Sequence, residues 1–264
     1  MATFVDSIID TPLGAISFAE SGAGSVRLVL HSLLTDRSAF DDVAEPLGGR
    51  FVAMDLPGFG STAPAGPSID EFSHRVAAFI ETMGLADEEL TLIGNGLGAF
   101  VALGTAINHG DLIARLLLVG CGAGFPESGK GAFTGMIDAV TGGGIEAVIP
   151  IALRRIFTDS YLASHPEMAE ARTTVLKGTD PAAFVTACTA LRDLDYTGSA
   201  PRVHCPTLIV VGEDDQATPP PLARELNRLV AGSRLEILPG VAHAPQIQDP
   251  SGFVHATKRF LEGR

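Results

Sequence analysis

Basic residues are scarce in this chain: 18 Lys and Arg stand against 31 Asp and Glu, a formal net charge of −13 over 264 residues. Nucleic-acid binding needs clustered Lys and Arg to neutralise phosphates, so it is not expected here. The acidic balance itself serves solubility and says nothing sharper. Cysteine is scarce as well. Cys121, Cys188 and Cys205 are an odd number without metal-ligand spacing, which argues against a disulfide framework or a metal site and for reduced thiols in a cytoplasmic protein. No apolar run reaches the ~20 residues of a membrane span, and Met1-Ala2-Thr3-Phe4-Val5-Asp6 has neither the charged nor the apolar region of a signal peptide. The expected partner is a small molecule, not a nucleic acid or a membrane.

The 46% hydrophobic content of a chain this long suffices for a large core, as one domain or as a domain with an insertion. Strand patterns at 14–19, 26–30, 51–54, 90–93 and 114–119 alternate with helical ones at 37–47, 69–83 and 97–109. Short, continuously apolar strands alternating with helices predict a mostly parallel sheet flanked by helices. From about Gly122 to Ser199 strand patterns vanish, and helical periodicity fills 133–140, 145–157, 167–176 and 181–192. Alternation then resumes with strands at 207–211 and 234–238 and helices at 220–230 and 251–261. The reading is an α/β core, residues 1–121 and 200–264, interrupted after its sixth strand by a helical cap, residues 122–199. Such a cap covers the carboxyl edge of the sheet, where open α/β sheets place ligands.

Leu90-Thr91-Leu92-Ile93 runs into Gly94-Asn95-Gly96-Leu97-Gly98, an apolar strand breaking into a glycine-rich turn that opens a helix. Four further segments carry recognisable chemistry: Val29-Leu30-His31-Ser32-Leu33-Leu34, Asp55-Leu56-Pro57-Gly58-Phe59-Gly60-Ser61-Thr62, Gly212-Glu213-Asp214-Asp215 and Leu238-Pro239-Gly240-Val241-Ala242-His243. In this order over nearly the whole chain, they resemble the oxyanion loop, D-x-P-G-x-G-x-S loop, acid turn and histidine loop of the α/β-hydrolase superfamily, whose nucleophile elbow reads G-x-S-x-G. The resemblance implies an eight-stranded α/β-hydrolase fold and no cofactor or metal. It assigns the nucleophile position to Gly96, the general base to His243 and the orienting carboxylate to Asp215, with Asp214 as rival. Leu33 and Leu97 take the oxyanion-donor positions. His31 and Ser32 stand where the family usually has His-Gly; both are candidate substrate-binding residues, and His31 also buttresses that loop. Asn95 and Cys121 flank the elbow and are candidate pocket residues, although a small buried thiol is the plainer role for Cys121.

Asp180-Pro181-Ala182-Ala183-Phe184, the run from Ala187 to Asp195, and Ala217-Thr218-Pro219-Pro220 are similar to segments of 3-oxoadipate enol-lactonases. That likeness offers Arg192 as a contact for a substrate carboxylate; the plainer alternative is a pair with Asp193 or Asp195. Gly94-x-Gly96-x-x-Ala99 also fits a dinucleotide fingerprint, but the next strand ends Leu118-Val119-Gly120-Cys121, without the acid that would hold a ribose.

A glycine at the elbow removes the hydroxyl that would form an acyl-enzyme, and the sequence suggests that the missing CH₂OH leaves room for about one water beside His243. Three readings stay open. The chain is a hydrolase of small esters, lactones or enol-lactones whose serine has been replaced, naturally or by engineering. Alternatively the His243–Asp215 dyad works without an acyl-enzyme, by water activation or in C–C cleavage, lyase or cofactor-free oxygenase chemistry. In the third, it is a non-catalytic binding protein, as N-myc downstream-regulated proteins are within this fold.

Overall fold

The computed structural model describes residues 2–263. Eight strands form a single sheet: β1 (Val5–Thr11), β2 (Gly14–Gly22), β3 (Val26–Leu30), β4 (Arg50–Met54), β5 (Thr91–Asn95), β6 (Arg115–Val119), β7 (Thr207–Gly212) and β8 (Arg234–Leu238). Their spatial order is 1-2-4-3-5-6-7-8. Only β2 runs against its neighbours; every other pairing from β4 to β8 is parallel. The central strands β3, β5 and β7 are buried at every position, which is what continuous apolar runs require of a sheet covered on both faces. The edge strand β8 alternates exposed and half-buried residues and carries Arg234 and Glu236 outward, a charged edge that discourages further pairing.

The helices are α1 (Asp41–Leu47), α2 (Ile69–Thr82), α3 (Leu97–Asn108), α4 (Glu127–Gly143), α5 (Ile149–Ile156), α6 (Asp159–Ser164), α7 (Pro166–Lys177), α8 (Pro181–Arg192), α9 (Pro220–Leu229), α10 (Pro245–Gln248) and α11 (Pro250–Leu261). In α3 all residues but the last are buried, and its Gly and Ala positions let it lie close to the sheet. A Cβ on Gly98 would press on the carbonyls of Leu30 and His31. The start of α8 falls where the sequence places it, because the Asp180 side chain accepts from the Ala183 N–H and Pro181 occupies the first turn.

Helices α4 to α8 fill the chain between β6 and β7. The two ends of this segment are pinned together by a bridge between Gly124 and Asp195 and by Tyr196 N–H donating to Ala123 O at 2.6 Å. Three elements depart from the sequence expectation. Strand β1 is absent from the sequence reading because Val5-Asp6-Ser7-Ile8-Ile9-Asp10-Thr11 has no clean apolar face; Val5 and Ile8 are exposed, and the β2 hairpin partner organises it. Helices α6 and α10 are too short for a periodic signal.

The parallel register aligns the strand ends: Leu30 lies opposite Met54 and Gly94, Gly94 opposite Leu118, and Gly212 opposite Leu238. The loops carrying His31–Leu33, Gly96, Asp215 and His243 therefore all leave the same, carboxyl edge of the sheet. No helix among the described residues is long and apolar enough to cross a membrane.

Candidate active site

The loops after β7 and β8 are zipped together. Glu213 N–H donates to Leu238 O at 2.8 Å and Asp214 N–H to Val241 O at 3.0 Å. This approach needs glycine at 212, where a Cβ would collide with the carbonyls of Val241 and Ala242. The turn leaves Asp214 exposed and directs Asp215 inward, its side chain 0% exposed. His243 Nδ1–H donates to Asp215 Oδ2 at 2.8 Å. Ala217 N–H and Thr218 N–H donate to Oδ1 at 2.8 and 2.9 Å, and the Thr218 hydroxyl donates to Oδ2 at 2.8 Å. Four donors thus offset the desolvation of a buried carboxylate. They also hold the imidazole with Nδ1 on the acid and Nε2 turned toward residue 96, the orientation a general base requires.

Gly96 closes β5 and caps α3 with φ 53° and ψ −119°, a region costly for any residue with a Cβ. The vacant slot expected there is a point of correction. A Cβ on residue 96 would lie 2.6 Å from His243 Nε2 and nearer still to Ser32 Oγ, so the space of the missing side chain is already filled by the Ser32 hydroxyl. Ser32 Oγ lies 3.4 Å from His243 Nε2 and is buried.

The amides of Leu33 and Leu97 meet no hydrogen-bond acceptor among the described residues, and both residues line one narrow cavity with Gly96, Ser32 and His243. From the helical segment, Phe133, Met136, Arg155 and Leu191 close that cavity, leaving a free volume of about 30 Å³. A larger polar cleft of about 340 Å³ lies between Asp36–Arg37 and Thr174–Asp180, but it contains no imidazole.

His31 does not line the cavity. Its Nε2 accepts the Leu56 N–H at 3.1 Å, which places the proton on Nδ1, donated to Ser32 O at 2.8 Å. Burial lowers its pKa, in keeping with a neutral ring. Packed edge-on against Phe59 at 5.0 Å, it clamps the loop of Ser32 and Leu33 to the loop after β4. The ring thus braces the loop and lies off the cavity.

Three other candidate contacts are relocated. Asn95 is buried and donates to His243 O at 2.9 Å and Val119 O at 3.3 Å, while accepting from Gln246 at 3.1 Å, so it pins the histidine loop instead of reaching the cavity. Cys121 lies off the cavity with its Sγ on Gly122 O, and burial raises its pKa well above the ordinary thiol value. Arg192 forms a bidentate pair with Asp193 at 2.8 and 2.9 Å because its position in the last turn of α8 aims it outward. Arg155 of α5 reaches the cavity instead; burial lowers its pKa, and it is joined to no carboxylate among the described residues. Nothing in the sequence separates Arg155 from its neighbour Arg154, which faces solvent. Thr218 was legible only as part of the Ala-Thr-Pro-Pro likeness. Among the described residues no group of three or more His, Cys, Asp or Glu is placed to hold a metal ion.

A family model described as the alpha/beta hydrolase family matches residues 28–256, and the chain belongs to that family. It is 28% identical over 250 residues to a pimeloyl-[acyl-carrier protein] methyl ester esterase of Neisseria meningitidis, covering 89% of this chain and 93% of the relative. It is also 28% identical over 226 residues to the 2-hydroxy-6-oxo-6-(2'-aminophenyl)hexa-2,4-dienoic acid hydrolase of Metapseudomonas resinovorans, covering 81% and 74%. The crystal structure of an enol-lactonase from Burkholderia xenovorans superposes with a TM-score of 0.89 at 24% identity, covering 97% of this chain and all of that one, and so shares its fold.

Proposed function

We propose that this protein hydrolyses a small carboxylic ester, lactone or enol-lactone in the cavity between the carboxyl edge of the sheet and the helical segment 122–199, which serves as its cap. The observation that carries the reading is the buried His243–Asp215 pair, Nδ1 on the carboxylate at 2.8 Å and Nε2 facing the cavity. His243 takes the proton of the attacking hydroxyl and returns it to the leaving oxygen. The Leu33 and Leu97 amides, unpaired among the described residues and lining the same cavity, donate to the carbonyl oxygen as it becomes an oxyanion.

Arg155 favours a substrate bearing a carboxylate or similar anion. Its guanidinium is joined to no carboxylate among the described residues, although the Asp215 charge favours its ionised form, and it borders a mostly apolar cavity, where a charge-assisted pair is strong. A substrate larger than this free volume enters as lining side chains give way, a motion that the unbranched Met136 side chain suits.

Initial rates on p-nitrophenyl esters and on enol-lactones test the reading. Hydrolysis should fall at least ~10³-fold in His243→Ala, the scale on which removing a triad member acts. A wild-type chain inert toward every ester and lactone refutes hydrolysis. Turnover of a carbon acid, lost in His243→Ala and without ester cleavage, would favour the dyad working by proton abstraction, the reading to which a glycine at 96 lends itself.

A further inference from the structure

We propose that Ser32 is the nucleophile of this site, its hydroxyl replacing the side chain that residue 96 lacks; the inference rests on the hydrolase reading above. Serine and glycine have exchanged places relative to the pattern the chain resembles. The oxyanion loop reads His31-Ser32 where His-Gly is usual, and the elbow reads Gly94-Asn95-Gly96 where the third residue is usually serine. The two positions are 64 residues apart in sequence, yet the fold brings them into contact: the atom nearest to a Cβ built on Gly96 is Ser32 Oγ, and the next is His243 Nε2. Each half of the exchange needs the other. A side chain at 96 would expel the Ser32 hydroxyl, and a glycine at 32 would leave His243 Nε2 with no hydroxyl partner among the described residues.

The exchange preserves the rest of the machinery. In the usual arrangement the oxyanion donors are the amide following the nucleophile and one from the neighbouring loop. With Ser32 attacking, Leu33 supplies the amide that follows the nucleophile and Leu97 the one across the cavity, and these two N–H groups are unpaired among the described residues. His243 Nε2 is the hydrogen-bond partner of Ser32 Oγ. Their 3.4 Å separation is longer than the ~2.7–3.2 Å of a mature catalytic hydrogen bond, as is common before substrate binds. The loop is held firmly around the hydroxyl: Ser32 N–H donates to Thr35 Oγ1 at 3.1 Å, and Ser32 O receives the His31 Nδ1–H.

In the acylation step the Oγ–H proton passes to His243 Nε2 and Oγ bonds to the acyl carbon. The carbonyl π pair moves onto its oxygen, between the Leu33 and Leu97 amides. When the carbonyl re-forms, the C–O bond to the leaving group breaks with its electron pair, and that oxygen takes the proton from Nε2. Water then repeats the sequence: it gives a proton to Nε2, bonds to the acyl carbon and expels Ser32 Oγ, which recovers the proton.

The test is labelling of the full chain with an alkyl fluorophosphonate, followed by peptide mass spectrometry. Oγ–P forms as P–F breaks and fluoride leaves, so no knowledge of the natural substrate is needed. One adduct per chain is expected, on Ser32, lost in Ser32→Ala and in His243→Ala, with thermal melts reporting that both variants fold. No adduct on the wild-type chain, or an adduct on another residue with Ser32 unmodified, overturns the assignment. Ester turnover that survives Ser32→Ala but not His243→Ala also overturns it, while leaving the hydrolase reading intact. An adduct on Ser32 in a chain that turns over no ester or lactone supports the activated serine and sinks the hydrolase reading instead.

Discussion

Placing serine at the elbow should harm this protein unless Ser32 is removed at the same time. Gly96→Ser places a Cβ on a backbone at φ 53°, a cost of about 1–3 kcal/mol. It also pushes that Cβ into Ser32 Oγ and Ser32 Cβ (3.1 Å) and to 2.6 Å from His243 Nε2. Overpacking of this kind costs about 1–3 kcal/mol more. The expected loss in the single variant is therefore about 2–6 kcal/mol, a large share of a stability that is typically about 5–15 kcal/mol. In a Ser32→Gly background two of those three contacts disappear, and only the imidazole has to yield. The backbone term remains while the steric term falls by about half, so the double-mutant cycle should show a coupling of about 0.5–1.5 kcal/mol. Urea unfolding of the wild type, both single variants and the double variant measures it directly. Equal costs of Gly96→Ser in the two backgrounds, within the ~0.5 kcal/mol expected of independent sites, would refute the exchange argument. The same four proteins also report function: activity lost in Ser32→Gly should return in part when Gly96→Ser is added.

Three further outcomes follow from the site and its surroundings. Asn95→Ala leaves His243 O and Gln246 Nε2 without their partner and should cost about 1–3 kcal/mol in urea unfolding, with kcat falling as the histidine loop loosens. Arg155→Gln should raise KM for anionic esters and spare neutral ones, whereas Arg192→Gln should alter neither, and the two are separated by parallel kinetics on a charged and an uncharged ester. Asp41 has its pKa raised to about 6, first by burial and then by Asp36 and Asp42, against the opposing pull of Arg172 and Arg37. Its ionised form is thus disfavoured in the folded state, a penalty complete above pH ~6 and relieved as pH falls toward the unfolded value near ~4. Asp41→Asn should accordingly raise Tm at pH 7–8 and lose that advantage below about pH 4; a constant difference across this range would contradict the assignment.

Periodicity and motif order made the architecture legible without coordinates. Continuous apolar strands such as Val26–Leu30 and Thr207–Gly212 demand a doubly covered sheet, and the loss of strand patterns after Gly122 marked the helical segment. Gly96, Asp215 and His243 were legible because each sits in a local turn whose residues are recognisable on their own. Tertiary structure alone decided what those residues face. Ser32 and His243 are 211 residues apart, and only the aligned carboxyl ends of β3, β5 and β8 bring them together, filling the slot that the sequence suggested was open. Helix phase likewise decided between arginines: one position along α5 sends Arg155 to the cavity, and the last turn of α8 sends Arg192 to Asp193. Local chain chemistry sets the backbone and its turns, whereas the direction and neighbours of a side chain depend on the packing of elements distant in sequence.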